Sequence, residues 1–156
     1  MKRISLLATL AVACTFSACK KDDDKPKSKA DTLTSHEWML SAATASVTVG
    51  GATQTMDMMN SNSLFALEDC DKDNVLSFAS AGTYAVSEGA TSCTPPTAET
   101  GKWSLNSDAT KLTRTPQGGT DEVADVMELT DSSLKLSTSD NSYGTPILIT
   151  LTFRKK

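Results

Sequence analysis

Over most of its length the chain alternates apolar and polar residues with a period of two, which is the repeat of a half-buried β-strand. The alternation comes in eight short runs separated by turn-forming residues, and most of the connections are short enough for hairpins. The runs are residues 36–49, 75–79, 83–87, 101–105, 111–115, 122–129, 133–138 and 146–154. Since no stretch of any length shows helical periodicity, the domain is predicted to be all-β.

Each run presents one apolar face, and that face must be buried against something. Because no helix is available to cover the sheet, the simplest arrangement is a sheet that curls onto itself. The predicted fold is an eight-stranded antiparallel up-and-down barrel, and a two-sheet β-sandwich is the alternative. In the first strand the inward positions are expected to run through Trp38, Leu40 and Ala42 and, after an irregularity, through Val47 and Val49.

The interior of the predicted barrel is where a small ligand would bind. Eight large side chains on the inward faces are the candidate residues of this lumen. They are Trp38, Leu40, Phe78, Tyr84, Trp103, Met127, Leu136 and Ile149. An eight-stranded barrel is either filled by side chains or holds one small ligand. Trp38 and Trp103 therefore line one end of a pocket or plug the barrel floor, and the plug is favoured.

The first residues have the pattern of an export signal. Met1-Lys2-Arg3 is positively charged, residues 4–16 form an apolar run too short to span a membrane, and Ser17-Ala18-Cys19 follows. This arrangement resembles the lipobox of bacterial lipoproteins. The resemblance implies that residues 1–18 are a signal peptide and that Cys19 carries several acyl chains, enough for stable membrane binding. A plain secretory signal is the alternative.

Residues 19–32 are predicted to be the lipidated cysteine and a flexible, charged tether, because they contain Lys-Lys, three Asp and a proline and have nothing to bury. Residues 33–156 then form the domain. The Lys-Lys-Asp-Asp-Asp run resembles the signal for outer-face display in lipoproteins of the Bacteroidota type, and a spacer of balanced charge is the alternative. The expected location is the outer membrane, on its periplasmic face or at the cell surface.

Cys70 and Cys93 are the only cysteines left in the predicted mature domain. An exported chain reaches an oxidising compartment, so a Cys70–Cys93 disulfide is predicted, and two free thiols are the alternative. For a loop of this length the chain-entropy model gives a stabilisation of roughly 3–3.5 kcal/mol.

The order of several short motifs resembles the lipocalin-like domain of Bacteroidota lipoproteins, over roughly residues 36–153. The motifs are Trp38-Met39-Leu40, Asp69-Cys70-Asp71-Lys72-Asp73 before Leu76-Ser77-Phe78, Gly82-Thr83-Tyr84, Cys93, Gly101-Lys102-Trp103-Ser104-Leu105, and Leu129-Thr130 followed by Leu134. The resemblance implies an eight-stranded barrel and, by analogy with lipocalins, a small apolar ligand. One departure is that the first strand has His36-Glu37-Trp38 where lipocalins proper have Gly-x-Trp.

Two groups of residues have the ligand types of a metal site. Asp69, Asp71 and Asp73 alternate as the oxygen ligands of Ca²⁺ do, but Asn74 and Ser80 stand where an EF-hand loop needs Gly and Glu. A polar turn beside the disulfide is the favoured interpretation. Residues 56–59 contain three methionines, for which Cu(I) binding is less favoured than packing or a lid over the barrel. No metal and no other cofactor are predicted.

Charge and composition argue against two further classes of function, nucleic-acid binding and catalysis. The net charge is −4, and the chain from Ala30 onward contains 16 acidic and 8 basic residues. Such a domain is a poor nucleic-acid binder, because that affinity depends largely on phosphate neutralisation. His36 is the sole histidine, and no catalytic constellation is visible, so an enzyme is not predicted.

The sequence thus predicts a lipid-anchored lipoprotein of the cell envelope that binds a small apolar ligand without catalysis. It is expected to be a monomer whose partners are the membrane, through its N-terminal lipid, and a small hydrophobic molecule. The alternative is a filled barrel that acts as a structural or protein-interaction module at the outer membrane.

Overall fold

The computed structural model describes residues 27–142 and 144–156. The predicted signal peptide, Cys19 and most of the predicted tether lie outside the described residues. In chain order the elements are helix α1 (Lys29–Thr34) and strands β1 (Glu37–Val49), β2 (Ala52–Asp57), β3 (Val75–Phe78), β4 (Thr83–Ser87), β5 (Glu99–Leu105), β6 (Lys111–Pro116), β7 (Glu122–Leu129), β8 (Ser133–Asp140) and β9 (Ile147–Lys155). Within this part of the chain no helix is long and apolar enough to cross a membrane.

Strands β1 and β3 to β9 form a closed antiparallel barrel. From β3 onward each strand pairs with the next one along the chain, and β1 closes the ring because it pairs with β3 on one side and β9 on the other. Trp38 of β1 thus lies between Leu76 of β3 and Lys155 of β9. These eight strands correspond to the eight predicted runs. The predicted barrel is confirmed, and the sandwich alternative is excluded.

One additional strand, β2, lies outside the ring and was not predicted. Residues 52–57 pair with residues 44–49 in the second half of β1. Gly50 and Gly51 connect the two strands with φ angles of 59° and 82°, the left-handed conformation that a two-residue hairpin turn requires. Residues 52–57 are almost all exposed, so β2 has no apolar face that a periodicity argument could detect.

The chain enters the barrel at the end called here the base, where α1 covers the opening. Leu33 of α1 and Trp38 of β1 are both fully buried there, and the Trp38 indole Nε1 donates a hydrogen bond to the Leu33 carbonyl at 2.9 Å. Ser28 begins the helix as its N-cap and exchanges hydrogen bonds with Asp31, an arrangement known as a capping box. The helix therefore includes residues that the sequence had placed in the flexible tether of residues 19–32.

The opposite end of the barrel, the upper end, is covered by the segment that follows β2. Met58 is buried there against Ala43 and Ala45 of β1, and Phe65 and Leu67 pack on the same cluster. The backbone N–H of Met58 donates to the Ala43 carbonyl and that of Leu67 to the Met58 carbonyl, both at 2.8 Å. Residues 58–67 thus form an upper cover, in which flexible methionines fill irregular space.

The predicted Cys70–Cys93 disulfide is present, with the two Cα atoms 5.3 Å apart. It joins the residues just before β3 to the long connection between β4 and β5, both at the upper end. The Asp73 carboxylate holds the same connection, because it accepts hydrogen bonds from the backbone N–H groups of residues 90–91 at 2.8 and 3.1 Å. A covalent bond and a charged hydrogen-bonding group together fasten a connection that has few apolar residues of its own.

Two irregularities change which side chains face the interior. In β1 the register against β9 shifts between Leu40 and Ala42, so Ala43 and Ala45 are buried and Ala42 is exposed. An irregularity was expected in this strand, but it begins earlier than expected, and the inward position predicted for Ala42 is wrong. The inward position predicted for Val49 is also wrong, since Val49 is 67 % exposed where β1 pairs with β2 outside the ring.

In β7 the register against β8 shifts between Val126 and Glu128. Met127, a candidate lumen residue, is 64 % exposed and faces solvent. That prediction is wrong because one extra residue in a strand reverses the alternation of its two faces. Val126 and Leu129, on either side of the irregularity, pack in the core instead.

Candidate functional site

The described part of the barrel contains a charged group of side chains on the inward side of its upper half, where Arg114, Glu99 and Glu122 remain 29 %, 35 % and 53 % exposed to solvent. Arg114 follows Leu112 by two positions on β6, and Leu112 is 1 % exposed. Since side chains alternate along a strand, Arg114 points to the same inward side. Glu99 of β5, Tyr84 of β4 and Glu122 of β7 surround it. We call these four residues the interior polar cluster.

The interior polar cluster is held by direct contacts. Arg114 Nη2 lies 2.8 Å from Glu122 Oε2, and Arg114 Nη1 lies 4.0 Å from Glu99 Oε1. The guanidinium carbon is 5.3 Å from the centre of the Tyr84 ring, a cation–π distance. The Tyr84 hydroxyl donates a hydrogen bond to Glu99 Oε1 at 2.5 Å. Tyr84 therefore connects the charged residues to the packed core.

Backbone geometry places the Tyr84 ring. Tyr84 pairs across the strands with Gly101, and a Cβ at Gly101 would lie 2.7 Å from the Tyr84 ring and closer still to the Thr115 carbonyl oxygen. Only glycine leaves room for the ring to lie against the neighbouring strand. The hydroxyl can then reach Glu99 at the start of the same strand as Gly101.

Burial and charge act together on Tyr84, which is 3 % exposed. Burial raises the pKa of the Tyr84 hydroxyl well above its ordinary value, and the hydrogen bond to Glu99 and its negative charge raise it further. The positive charge of Arg114 opposes this shift only in part. Tyr84 therefore stays a neutral hydrogen-bond donor at any physiological pH.

Two cavities lie beside Arg114; Glu122 lines only the smaller of them, and Glu99 and Tyr84 line neither. The larger, about 180 Å³, opens toward the upper end, and the smaller, about 100 Å³, lies between β6, β7, β8 and β9. Four residues line both cavities and so form the wall between them: Leu76, Arg114, Leu151 and Phe153. Leu40, Leu67, Asp71, Asn74 and Val86 complete the lining of the larger cavity.

The predicted lumen residues are divided between cavities and solid core. Leu40 lines the larger cavity, and Leu136 and Ile149 line the smaller. Trp38, Phe78 and Tyr84 are buried in the core, and Trp103 packs against it. The Trp103 ring meets Phe78 edge-on at 5.4 Å, and its Nε1 donates to the Ala79 carbonyl at 2.9 Å.

Sequence reasoning missed the three charged members of the interior polar cluster. Arg114 and Glu122 lie in predicted strands, but a charged residue at an inward position contradicts the alternation rule, and neither was named as a site residue. Glu99 lies before the predicted start of its strand at residue 101. The one available signal was the spacing of Leu112 and Arg114, which places both side chains on one face.

The aspartates before β3 do not form a common site. The Asp69 carboxylate pairs with Lys72 at 2.6 Å, Asp71 accepts a hydrogen bond from Asn74, and Asp73 holds residues 90–91. Each carboxylate thus serves a different local contact. These contacts are those of the polar turn that the sequence favoured.

A further concavity of about 840 Å³ lies across β3 to β6. Its lining includes Ser77, Ala85, Thr100 and Lys102, which alternate with the buried Phe78 and Tyr84 along their strands. It therefore lies on the outer face of the barrel. This outer groove is wide and open, and small side chains form much of its surface.

A closed antiparallel barrel with a helix across its base and small cavities near one end belongs to the class of all-β barrels that either hold one small ligand or are filled. The family model of the lipocalin-like domain matches residues 34–136, well over half of the chain. The protein belongs to the lipocalin-like domain family, a fold that is typically non-catalytic and serves binding or structure. No curated protein matches the chain.

Proposed function

We propose that this protein is a lipid-anchored lipoprotein of the cell envelope that binds a small, largely apolar molecule inside its lipocalin-like barrel, without catalysis. The observation that supports binding best is the pair of cavities that meet at Leu151 and Phe153. A barrel filled throughout would not leave such spaces on either side of a wall that includes Arg114.

The volumes limit the size of the ligand. Drug-sized ligands occupy pockets of about 300–1,000 Å³, and each of the two cavities is smaller. An apolar cavity of about 150 Å³ holds benzene, so the larger cavity, at about 180 Å³, suits a single ring or a short alkyl chain. A longer molecule requires that Phe153 moves and joins the two cavities.

Benzene is a suitable first probe for this interior. We expect a titration followed by NMR to shift the methyl signals of Leu40 and Leu151, which line the larger cavity. Leu151→Phe should reduce the shift at Leu40 because the larger side chain fills the space. Shifts confined to the outer groove, at Thr100 and Lys102, would exclude the interior as the binding site.

The membrane anchor rests on the sequence pattern around Cys19. In this proposal the chain leaves the membrane at Cys19, and the tether connects this anchor to the base of the barrel. Cys19→Ala should release the protein into the soluble fraction. Native mass spectrometry of protein from its own envelope should show acylation and any retained ligand, and membrane association of the Cys19→Ala variant would contradict the anchor.

The second candidate is a structural or interaction module at the outer membrane. It is favoured by the outer groove, whose volume exceeds that of both interior cavities. In that case, cross-linking in intact cells through a photoreactive group at Thr100 should trap a protein partner, whereas the same group at Asp108, outside the groove, should not. Benzene binding inside the barrel combined with no cross-link at Thr100 would decide for the ligand-binding function.

A further inference from the structure

Carboxylates border the Cys70–Cys93 disulfide on both sides. Glu68 Oε2 lies 3.8 Å from Cys70 Sγ, and Asp71 Oδ1 lies 3.6 Å from Cys93 Sγ. A thiol at such a distance can donate a hydrogen bond to a carboxylate. A disulfide sulfur has no hydrogen to donate, so neither contact gains a hydrogen bond in the oxidised protein. The arrangement suits a state in which the sulfurs are thiols or bind a cation.

One of these carboxylates and the two sulfurs have the composition of a metal site. A carboxylate oxygen of Glu68 and the sulfurs of Cys70 and Cys93 lie within 4.8 Å of one another. Two thiolates on one tetrahedral Zn²⁺ are about 3.8 Å apart, because each Zn–S distance is ~2.3 Å. Small side-chain rotations therefore bring all three ligand atoms to coordination distance. Zn²⁺ binds sulfur together with oxygen, whereas Ca²⁺ and Mg²⁺ take oxygen ligands.

The charge around the disulfide favours a cation. Residues 68–74 contain four acidic residues and one basic residue, Lys72. Lys72 pairs with Asp69 at 2.6 Å, and so its charge is directed away from Glu68. Glu68 is exposed while both cysteines are buried, so a metal ion can reach the sulfurs from the side of this carboxylate.

Hydrogen bonds hold the connection between β4 and β5 in addition to the disulfide. Glu88, just after the end of β4, accepts hydrogen bonds at Oε1 from the backbone N–H groups of Cys93 and Thr97, at 3.2 and 2.9 Å. The Asp73 carboxylate holds residues 90–91 of the same connection. Reduction of the disulfide breaks none of these bonds. The two cysteines therefore remain neighbours when they are thiols.

We propose that Cys70, Cys93 and Glu68 form a zinc site when the disulfide is reduced. Three protein ligands leave the fourth position of the metal to a water molecule. The reductant is a dithiol, which passes two electrons and two protons to the cysteine sulfurs and itself becomes a disulfide. Zn²⁺ then displaces both protons, because thiolates are the ligands. This site goes beyond the proposed ligand-binding function and does not depend on it.

A chain with Cys14→Ala and Cys19→Ala has Cys70 and Cys93 as its only cysteines and is suited to the test. It is reduced with dithiothreitol, freed of the reductant under argon, and titrated with Zn²⁺ against a colorimetric chelator. One Zn²⁺ should bind per chain, and Co²⁺ in its place should give a thiolate-to-cobalt absorption band. The oxidised chain should show neither. Zn²⁺ should also raise the melting temperature of the reduced chain, because it binds the folded state.

Glu68→Gln is the informative variant in the same background, because it removes the charged oxygen ligand and keeps the size of the side chain. Even partners outside the coordination shell contribute about 10–100-fold to metal affinity, so the Kd for Zn²⁺ should rise at least tenfold. Asp69→Asn is the matched control. Asp69 is an exposed neighbour on the short 3-10 helix Asp69–Asp71 and pairs with Lys72, and its loss should leave the Kd nearly unchanged.

Each other outcome overturns the proposal. No binding by the reduced chain would exclude the site, and equal binding by the oxidised chain would assign the metal to the acidic surface. Equal losses in Glu68→Gln and Asp69→Asn would show that Glu68 is not a ligand. A reduced chain without a cooperative melting transition in the absence of metal would show that hydrogen bonds do not hold the cysteines in place. The benzene titration of the interior is unaffected by any of these results.

Discussion

The two halves of the barrel interior are built on different principles. At the base, four large side chains belong to a single apolar cluster and are at most 1 % exposed: Leu33, Trp38, Leu112 and Leu134. In the upper half, a second apolar cluster around Ala43, Ala45 and Met58 lies beside charged side chains and two cavities. The base is therefore packed with apolar side chains alone, whereas the upper half combines apolar packing with polar groups and unfilled space.

The two ends are also closed by different means. A capped helix covers the base and is tied to Trp38 by a buried hydrogen bond. At the upper end the chain is longer and less regular, and the Cys70–Cys93 disulfide and the Asp73 carboxylate hold it. Connections that carry binding residues are commonly the less stable part of a fold. At the upper end, the disulfide therefore contributes stability that at the base comes from apolar packing.

The largest expected effect tests the base directly. Trp38→Ala removes a fully buried indole and its hydrogen bond to Leu33, and should lower the free energy of unfolding by about 3–5 kcal/mol. Leu40→Ala, only two residues further along β1, should cost about 1–2 kcal/mol, since Leu40 is half-buried and already borders a cavity. Urea denaturation measures both values. Equal losses in the two variants would show that the halves do not differ in packing.

The second prediction concerns the cross-link at the upper end. Replacing Cys70 and Cys93 together by serine should lower the free energy of unfolding by roughly 3 kcal/mol, given their separation of 23 residues. The wild-type protein treated with a reductant is the control and should lose a similar amount. Hydrogen exchange in the folded variant should rise at residues 88–98 and change little in α1. A uniform rise over both ends would argue against a local role.

The third prediction concerns Tyr84, the residue that connects the interior polar cluster to the packed core. The folded-state pKa of Tyr84 lies above its unfolded value of about 10, so the unfolded chain loses the proton first as the pH rises. The stabilisation is complete below pH ~10 and decreases above it, by about 1 kcal/mol between pH 10 and 11. Denaturation at several pH values, in the wild-type protein and in Tyr84→Phe, isolates this contribution. The same decline in Tyr84→Phe would assign it to other groups.

The sequence alone was sufficient to predict the eight strands of the barrel and the disulfide. Period-two alternation and turn residues predict strands such as β8, where Leu134 and Leu136 are buried and Ser133 and Lys135 are only partly buried. The pairing of Cys70 with Cys93 followed because no other cysteine remained in the mature domain. The strands could be predicted because alternation is a local property of the sequence. The disulfide could be predicted because no alternative partner was left for either cysteine.

The site could be predicted only in part, for two physical reasons. The alternation rule has no means to place a charged residue inside, and so Arg114 was overlooked although its spacing from Leu112 was visible. A one-residue irregularity is decided by the pairing with the next strand, which the sequence of β7 alone does not contain. For that reason Met127 was assigned to the interior, where the structure places Val126.

The smallest expected effect concerns the outer face of β7. It tests whether the difference in packing between the two halves involves only side chains that point into the barrel. Met127→Lys changes an outward-facing residue that is 64 % exposed, so the free energy of unfolding should change by no more than about 0.5 kcal/mol. Val126→Lys, one position earlier, forces a charge against the core and should cost several kcal/mol or prevent folding. Thermal denaturation distinguishes the two. A large loss in Met127→Lys would mean that β7 pairs with β8 without the irregularity and that Met127 faces the interior after all.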